Sequence, residues 1–215
     1  MPACCYSIKV KSPQPQAYPQ AYPRPLPKGG EKKGGEKKGV GNLVKSSTKK
    51  VKRVKRNLHK SDIDVLCRLC NDDETLRESL YRALFSADKR TGDNAAWVMT
   101  HLSEKHDGWL QERQEELIDE AMKTTSATRR RLLMTLLLRT TFKKETLRGD
   151  FVDFCFSLIP RADEPVGIRS VSMRLSLVMC RHYPELMAEL REIVSMLPQS
   201  ELSPALRSVA KKIMR

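Results

Sequence analysis

Two short stretches near the end of this sequence repeat each other at a spacing of 38 residues. Residues 168–171 read Ile-Arg-Ser-Val, residues 206–209 read Leu-Arg-Ser-Val, and Arg131 lies another 38 residues before Arg169. A period of this length accommodates a helix, a turn and a second helix, and such units stack because none buries its apolar face alone. The repeat predicts a helical solenoid in which Arg131, Arg169 and Arg207 hold equivalent positions.

Helix-start signals recur throughout the second part of the chain, and no segment shows the sustained alternation typical of a strand. Polar caps or prolines precede apolar residues at helical spacing in each case. We therefore predict an all-α body over 61–215, with about nine helices arranged as a right-handed α-α superhelix of four helix pairs plus a terminal helix. The predicted starts are Ser61, Asp72/Asp73, Asp93, Asp107, Thr125/Ser126, Lys144 or Thr146, Glu164-Pro165, Pro184 and Ser203-Pro204.

Charge divides the chain at about residue 60. The formal net charge is +14, and residues 1–60 carry all of it, together with seven of the twelve prolines and six of the ten glycines. Residues 61–215 hold 24 basic and 24 acidic side chains. Low hydrophobicity with high net charge predicts that 1–60 is a disordered basic tail and that 61–215 is the folded domain.

The densest cationic cluster of the tail is residues 49–56. Its six cations favour contact with a polyanion, either nucleic acid or an anionic membrane surface, and such contact should weaken steeply with salt. Two other interpretations stay open: an inert, solvated tail, and a start codon assigned too early. The candidate contact residues are Lys49, Lys50, Lys52, Arg53, Lys55 and Arg56.

Several classes of protein are disfavoured by the apolar residues and cysteines. The longest apolar run, 132–138, is far shorter than the roughly 20 residues that span a membrane. The N-terminus lacks the apolar segment of a secretory signal, and the six cysteines are scattered. We expect a protein of a reducing compartment, cytoplasmic or, in a eukaryote, nuclear.

Motifs for metal or catalytic chemistry are weak. Cys67 and Cys70 lie one helical turn apart without two further ligands nearby in sequence, so we interpret them as structural thiols. Hydrolase, kinase and phosphate-loop strings are missing from the sequence. We predict no catalytic residue, no metal and no cofactor.

The order of several motifs resembles a bacterial group of small HEAT/armadillo-like α-α superhelical proteins. The resemblance covers about 61–215, and it implies the fold but little about function. Some members of that group are called adenylosuccinate lyases, but this body is much too short for that enzyme and lacks its Ser-Ser-x-Met-Pro-x-Lys loop. The motifs are Asn94–Leu102, Thr124–Arg130, Gly167–Leu175 and Ser203–Ile213.

A solenoid of this kind presents a concave face, which we expect from helices near 94–104, 128–140, 167–181 and 205–215. The candidate residues on that face are Trp97, His101, Arg130, Arg131, Arg169 and Arg207. Arginines at a repeat position also commonly tie neighbouring repeats to carboxylates or carbonyls, with Asp163, Glu164 and Glu201 as candidate partners. The two histidines next to aromatic residues, His101 and His182, fit packing or capping roles better than catalysis.

The leading hypothesis is a non-enzymatic scaffold that holds a protein or peptide on its concave face, while the tail adds contact to nucleic acid or another polyanion. The sequence does not indicate the oligomeric state. The alternative is a DNA-binding or DNA-repair protein of the HEAT-like type, akin to alkylated-base glycosylases. By analogy of fold, Trp97, Asp150 or Asp153, and Arg130 or Arg131 would be its constellation. The zero net charge of the body disfavours that alternative.

Overall fold

The computed structural model describes residues 58–198, 200 and 202–215. Short 3-10 helices at Glu104–His106 and Lys144–Thr146 interrupt the connections, and no strand occurs among the described residues. The predicted tail cluster at 49–56 and Glu201 lie outside them. The α-helices are α1 (Lys60–Asp72), α2 (Glu74–Ala83), α3 (Lys89–Thr100), α4 (Asp107–Gln111), α5 (Gln114–Lys123), α6 (Ala127–Leu137), α7 (Gly149–Leu158), α8 (Val166–Cys180), α9 (Pro184–Ser195) and α10 (Pro204–Ile213).

The helices form two layers that alternate along the chain. In the first layer, α1, α3, α6, α8 and α10 pack side by side in that order. The second layer contains α2, α5, α7 and α9, and α5 packs against α7 within it. Each first-layer helix packs on a second-layer neighbour in sequence, which gives the predicted α-α superhelix of four pairs plus a terminal helix.

Caps fix where several helices begin. Asp73 accepts a hydrogen bond from the Leu76 amide at 2.9 Å, Ser126 from Arg129 at 3.3 Å, and Ser203 from Leu206 at 3.3 Å, as the sequence predicts. Side-chain oxygens at these positions satisfy amides that have no partner inside the helix. The predicted starts of these three helices are therefore close to the observed ones.

Two predicted helix starts and one predicted helix length need correction. The helix predicted from Lys144 or Thr146 begins at Gly149, since Lys144–Thr146 forms a separate 3-10 helix. The helix predicted from Asp93 begins at Lys89, because Asp88 caps it and accepts from the Thr91 amide at 2.9 Å. The single helix predicted from Asp107 is two helices, α4 and α5. The backbone breaks near Arg113, whose guanidinium lies 4.0 Å from the ring centre of Trp109 and 3.0 Å from Glu78. Among the described residues there are thus ten α-helices instead of about nine.

The core runs continuously between the layers. Leu133 on α6, Phe151 on α7 and Leu175 on α8 are fully buried. Helix α8 is the most enclosed, because it packs against α6, α7, α9 and α10. Its small Ser172 and Ser176 are fully buried too, and the Ser172 hydroxyl donates to the Ile168 carbonyl at 2.9 Å.

In the described part of the chain, no helix combines the length and the apolar character needed to cross a membrane.

Candidate interaction surface

An arginine recurs at the fourth position after the N-cap of three first-layer helices. These arginines are Arg130 in α6, Arg169 in α8 and Arg207 in α10. Each donates to a backbone carbonyl that precedes its helix: Arg130 to Thr124 at 2.7 Å, Arg169 to Ile159 at 2.9 Å and Arg207 to Leu202 at 2.8 Å. The equivalent residue in α6 is therefore Arg130, and the prediction that Arg131 is equivalent is wrong by one residue.

Burial separates these arginines further. Arg169 is 3% exposed, Arg130 is half-buried and lies 3.4 Å from Glu164, and Arg207 is exposed. Because their guanidinium groups are engaged by carbonyls or carboxylates of the protein, Arg130 and Arg169 are poorly placed to hold a partner. Their geometry fits a role in fixing each helix to the connection before it.

Arg129, which the sequence analysis did not single out as a site residue, joins three helices. Its side chain is almost fully buried, and it donates to the Ser86 carbonyl and to Glu120 Oε1, both at 3.1 Å. Its Nε lies 3.5 Å from Asp93 Oδ1. The guanidinium occupies the space beside Gly92, where an added Cβ would lie 2.1 Å from Nη2.

Gly92 holds the same position after the N-cap of α3 that arginine holds in α6, α8 and α10. Arg129 reaches back from the next repeat and contacts carbonyls of the connection before α3. It thereby replaces the arginine that α3 lacks. The signal in the sequence is a glycine at the repeat position, accompanied by an additional arginine 37 residues later.

Arg131 belongs to a different set, the cations that face solvent. Its side chain crosses from α6 to α8, where its Cδ lies 2.8 Å from the position a Cβ on Gly167 would take. Arg174 on α8 and Lys212 on α10 are exposed as well. None of these three has a carboxylate partner at ion-pair distance among the described residues.

Arg174 and Lys212 are separated by 38 residues, the period of the repeat. They occupy the same position in α8 and α10, nine residues after the N-cap. Applied to every cation, the repeat period could have identified this pair from the sequence alone. The pair lies outside the more conspicuous Arg-Ser-Val motif, which ends at Val171 and Val209.

An open groove of about 460 Å³ runs between α8 and α10 and reaches the end of α6. Leu138, Leu177 and Val178 supply apolar surface to it, whereas Arg174 and Lys212 supply positive charge. Small residues at Ser170, Ala205 and Ser208 leave the groove open. Its lining is thus partly apolar and partly cationic.

A second open groove, of about 600 Å³, lies between α3 and α6. It is polar, with Arg90, Asn94 and Thr128 among its lining residues. Farther along α3, Trp97 is half-buried against the core, and His101 Nδ1 lies 3.0 Å from the Trp97 carbonyl at the helix end. His101 therefore takes part in ending the helix.

The charges of the two layers are opposite. Helices α3, α6, α8 and α10 contain ten basic residues and one acidic residue. Helices α2, α5, α7 and α9 contain four basic and eleven acidic residues. Within a body of zero net charge, the first-layer helices from α3 onward are therefore basic and the second-layer helices are acidic, and α1 and the connections supply the remaining charge. We call the outward surface of α3, α6, α8 and α10 the basic face.

The thiols of the described residues are buried, and no disulfide joins them. Burial raises the pKa of Cys180 to about 12 and also raises the pKa of Cys155, so both remain protonated and unreactive near neutral pH. Cys67 donates to the His101 carbonyl, which links α1 to the end of α3. In the part of the chain that the structure describes, no three metal-binding side chains converge.

The constellation considered for a glycosylase is divided between the layers. Trp97 lies on α3 in the first layer, while Asp150 and Asp153 lie on α7 in the second. Asp150 pairs with Arg148, which lowers the pKa of that carboxyl. Arg130 is engaged by Thr124 and Glu164. The geometry does not bring these candidate residues into one site.

Stacked helix pairs, repeated capping arginines and an open charged face define an α-α repeat protein with an extended surface. A family model described as a HEAT repeat domain matches residues 51–215. The chain belongs to this family, which confirms the predicted HEAT-like fold. The match begins inside the cationic cluster at 49–56, and the boundary proposed at residue 60 stays a prediction. No match was found among curated proteins or among solved structures.

Proposed function

We propose that this HEAT repeat protein is a non-enzymatic scaffold that holds a protein or peptide on its basic face. HEAT repeats commonly mediate protein interactions. The main observation that supports this proposal is the set of solvent-facing cations beside an open groove. Arg131, Arg174 and Lys212 have no carboxylate partner among the described residues, so a bound partner could satisfy them without breaking an existing ion pair. The buried thiols support a reducing compartment such as the cytoplasm.

The tail supplies the second part of this proposal. Its six cations at 49–56 would add a weak contact to nucleic acid or another polyanion. Because the tail and the basic face carry the same sign, both would favour a partner with net negative charge.

Site-specific photocrosslinking tests the scaffold. A photoreactive amino acid replaces Ser208, which is exposed on the basic face, or Ser195, which is exposed on α9 of the second layer, in full-length protein inside its own cells. We expect protease-sensitive adducts from Ser208 and few from Ser195. Equal adducts from both positions, or none from Ser208, would contradict the proposal.

A second candidate function is binding of duplex nucleic acid on the same face, because the segregated charge removes the objection that the neutral body raised. A gel shift of the full chain is compared with that of a variant in which the six cations at 49–56 are replaced by glutamine. Duplex affinity that survives in this variant at moderate salt would favour the second candidate, whereas loss of affinity at low salt assigns the contact to the tail. In the crosslinking experiment, nuclease-sensitive adducts at Ser208 would point the same way.

Glycosylase activity on duplex DNA, the enzymatic version of the second candidate function, is tested by a separate assay. Release of alkylated bases from duplex DNA is measured with the wild-type chain and with Asp153→Ala. We expect no release above the uncatalysed background with either chain. Release that depends on Asp153 would overturn the non-enzymatic proposal.

A further inference from the structure

We infer that the groove between α8 and α10 binds an acidic segment of a partner protein that also carries apolar side chains. This inference rests on the proposed scaffold function and specifies its partner. The apolar side chains of the segment would lie against Leu138, Leu177 and Val178, and its carboxylates would pair with Arg174 and Lys212.

The cations favour a carboxylate ligand. Arg174 and Lys212 project from neighbouring parallel repeats onto one groove, and both are exposed. Guanidinium groups bind carboxylates through paired, charge-assisted hydrogen bonds. Arg148 already binds Asp150 in this way, because its Nε donates to Oδ1 at 3.0 Å and its Nη2 donates to Oδ2. Arg174 and Lys212 lack such a partner among the described residues.

The apolar surface favours a peptide over nucleic acid. A phosphate backbone gains nothing from contact with leucine and valine, and no aromatic side chain among the described residues lines this groove for a base to stack upon. A peptide with leucine-like side chains would bury that surface and gain about 25 cal/mol for each Å² removed from water. The mixture of cations and apolar residues therefore fits an acidic, partly apolar peptide.

The dimensions fit a short segment. Ser170 and Val178 mark the extent of the groove along α8, which is about 12 Å at 1.5 Å per residue. An extended chain of about four residues, or two helical turns, covers that length. The volume of about 460 Å³ is in the range of ordinary ligand grooves.

Charge also determines which face of the protein the acidic segment would bind. The second layer carries eleven acidic side chains in its four long helices and would repel an acidic peptide. Arg131, which crosses towards α8, extends the positive surface beyond the groove. Long-range attraction would thus guide the peptide to the basic face before short-range contacts form.

The test uses the full chain and a fluorescein-labelled peptide of about a dozen residues that alternates stretches of glutamate with leucine. Fluorescence anisotropy measures its dissociation constant for wild type, for Arg174→Glu/Lys212→Glu, and for a matched double reversal on the second layer, Arg82→Glu/Lys123→Glu. We expect the groove variant to lose about tenfold or more in affinity and the matched variant to change less than about twofold. Thermal melting of all three chains confirms that each is folded.

Three further probes separate the contributions. A peptide with amides in place of carboxylates should lose binding, and so should one with serines in place of leucines. A labelled DNA duplex should lose no more affinity in the groove variant than in the matched second-layer variant, which carries the same change of net charge. Equal losses in both double variants, or full binding by the leucine-free peptide, would overturn the inference, as would a duplex that binds more tightly than the peptide and depends on Arg174 and Lys212.

The crosslinking experiment distinguishes the two levels of the argument. Protein adducts at Ser208 together with no peptide affinity would reject an acidic segment while leaving the scaffold in place. If neither protein adducts nor peptide binding occur, both the scaffold and the acidic segment are rejected.

Discussion

The two layers of this protein use charged residues in different ways. In the second layer and its connections, arginines pair with carboxylates: Arg148 contacts Glu115, Asp119 and Asp150, and Arg139 contacts Asp107. In the first layer, Arg169 is buried and engaged by a backbone carbonyl, and Arg129 is buried against Glu120 and Asp93. Arg131 and Arg174 in the same layer face solvent without a carboxylate partner among the described residues. A charged residue is therefore informative about binding only after its depth and its partners are known.

The difference also explains how a neutral body can have a binding face. Equal numbers of acidic and basic residues suggest little attraction for a charged partner when they are mixed. Here the alternation of layers along the chain sorts them, since successive helices belong to opposite layers. Net charge is a property of the chain, but attraction depends on how charge is distributed over the surface.

Among the substitutions that test this comparison of the layers, removing Arg129 should lower the stability of the protein most. Arg129→Met leaves the Glu120 carboxylate, whose side chain is 13% exposed, without its ion partner, whereas Asp93 keeps Lys89 at 2.9 Å. We expect the free energy of unfolding to fall by about 3–5 kcal/mol, because a buried carboxylate loses its compensating charge. Urea denaturation measures the change.

The control is Arg131→Met, two residues along the same helix. Its guanidinium is exposed and makes no ion pair with a described residue, so stability should change by about 0.5 kcal/mol or less. Similar losses in the two variants would remove the distinction between structural and solvent-facing arginines in the first layer.

Gly92→Ala should reverse the usual effect of removing a glycine from a helix. Alanine normally stabilises a helix by about 0.5–1 kcal/mol relative to glycine. Here the methyl group would collide with the buried Arg129 guanidinium, and we expect a loss of about 1–3 kcal/mol. Thermal or urea unfolding shows whether the substitution raises or lowers the free energy of unfolding.

The matched substitution is Gly167→Ala, where the obstructing group is the exposed, flexible Arg131 side chain. It can move, so this variant should be neutral or slightly stabilised. In an Arg129→Ala background, the penalty of Gly92→Ala should disappear, which a double-mutant cycle detects. A penalty that persists there would show that Arg129 is not the cause.

The layer order and most helix starts could be predicted from the sequence, because caps and apolar spacing are local signals. Ser126, Asp73 and Ser203 act within three residues of themselves. The Arg129–Gly92 contact could not be predicted in this way, since it joins residues from different repeats. The shift from Arg131 to Arg130 shows the limit of spacing: the α6-to-α8 interval is 39 residues by helix position, and the connections have unequal lengths.

The candidate groove could not be predicted from local signals either, because it is formed by residues from different repeats. Arg174 and Lys212 are separated by one repeat, but only the stacking of α8 beside α10 places them on one groove. The charge segregation is likewise present in the residue counts, yet it becomes visible only when helices are assigned to layers. Local sequence signals thus predict the helices, whereas the basic face and its groove become evident only from the packing of the repeats.

Removing Arg148 tests the second layer, with a smaller expected effect. Arg148→Gln leaves the largely exposed carboxylates Glu115, Asp119 and Asp150 without their shared cation. We expect a loss of about 0.5–1 kcal/mol at low salt that shrinks at high salt, since exposed ion pairs are screened. Unfolding in urea at two ionic strengths provides the measurement, and a loss independent of salt would contradict an electrostatic origin.

Arg174→Gln/Lys212→Gln should have the smallest effect on stability. Both side chains are exposed, and neither pairs with a described carboxylate, so the unfolding free energy should change by about 0.5 kcal/mol or less. Removing positive charge from a face of one sign can even stabilise it slightly, because repulsion among neighbours falls. Urea unfolding of this double variant and of Arg148→Gln under the same conditions compares their free energies of unfolding directly. A loss larger than that of Arg148→Gln would mean that these cations hold the repeats together, and they would then no longer count as free to meet a partner.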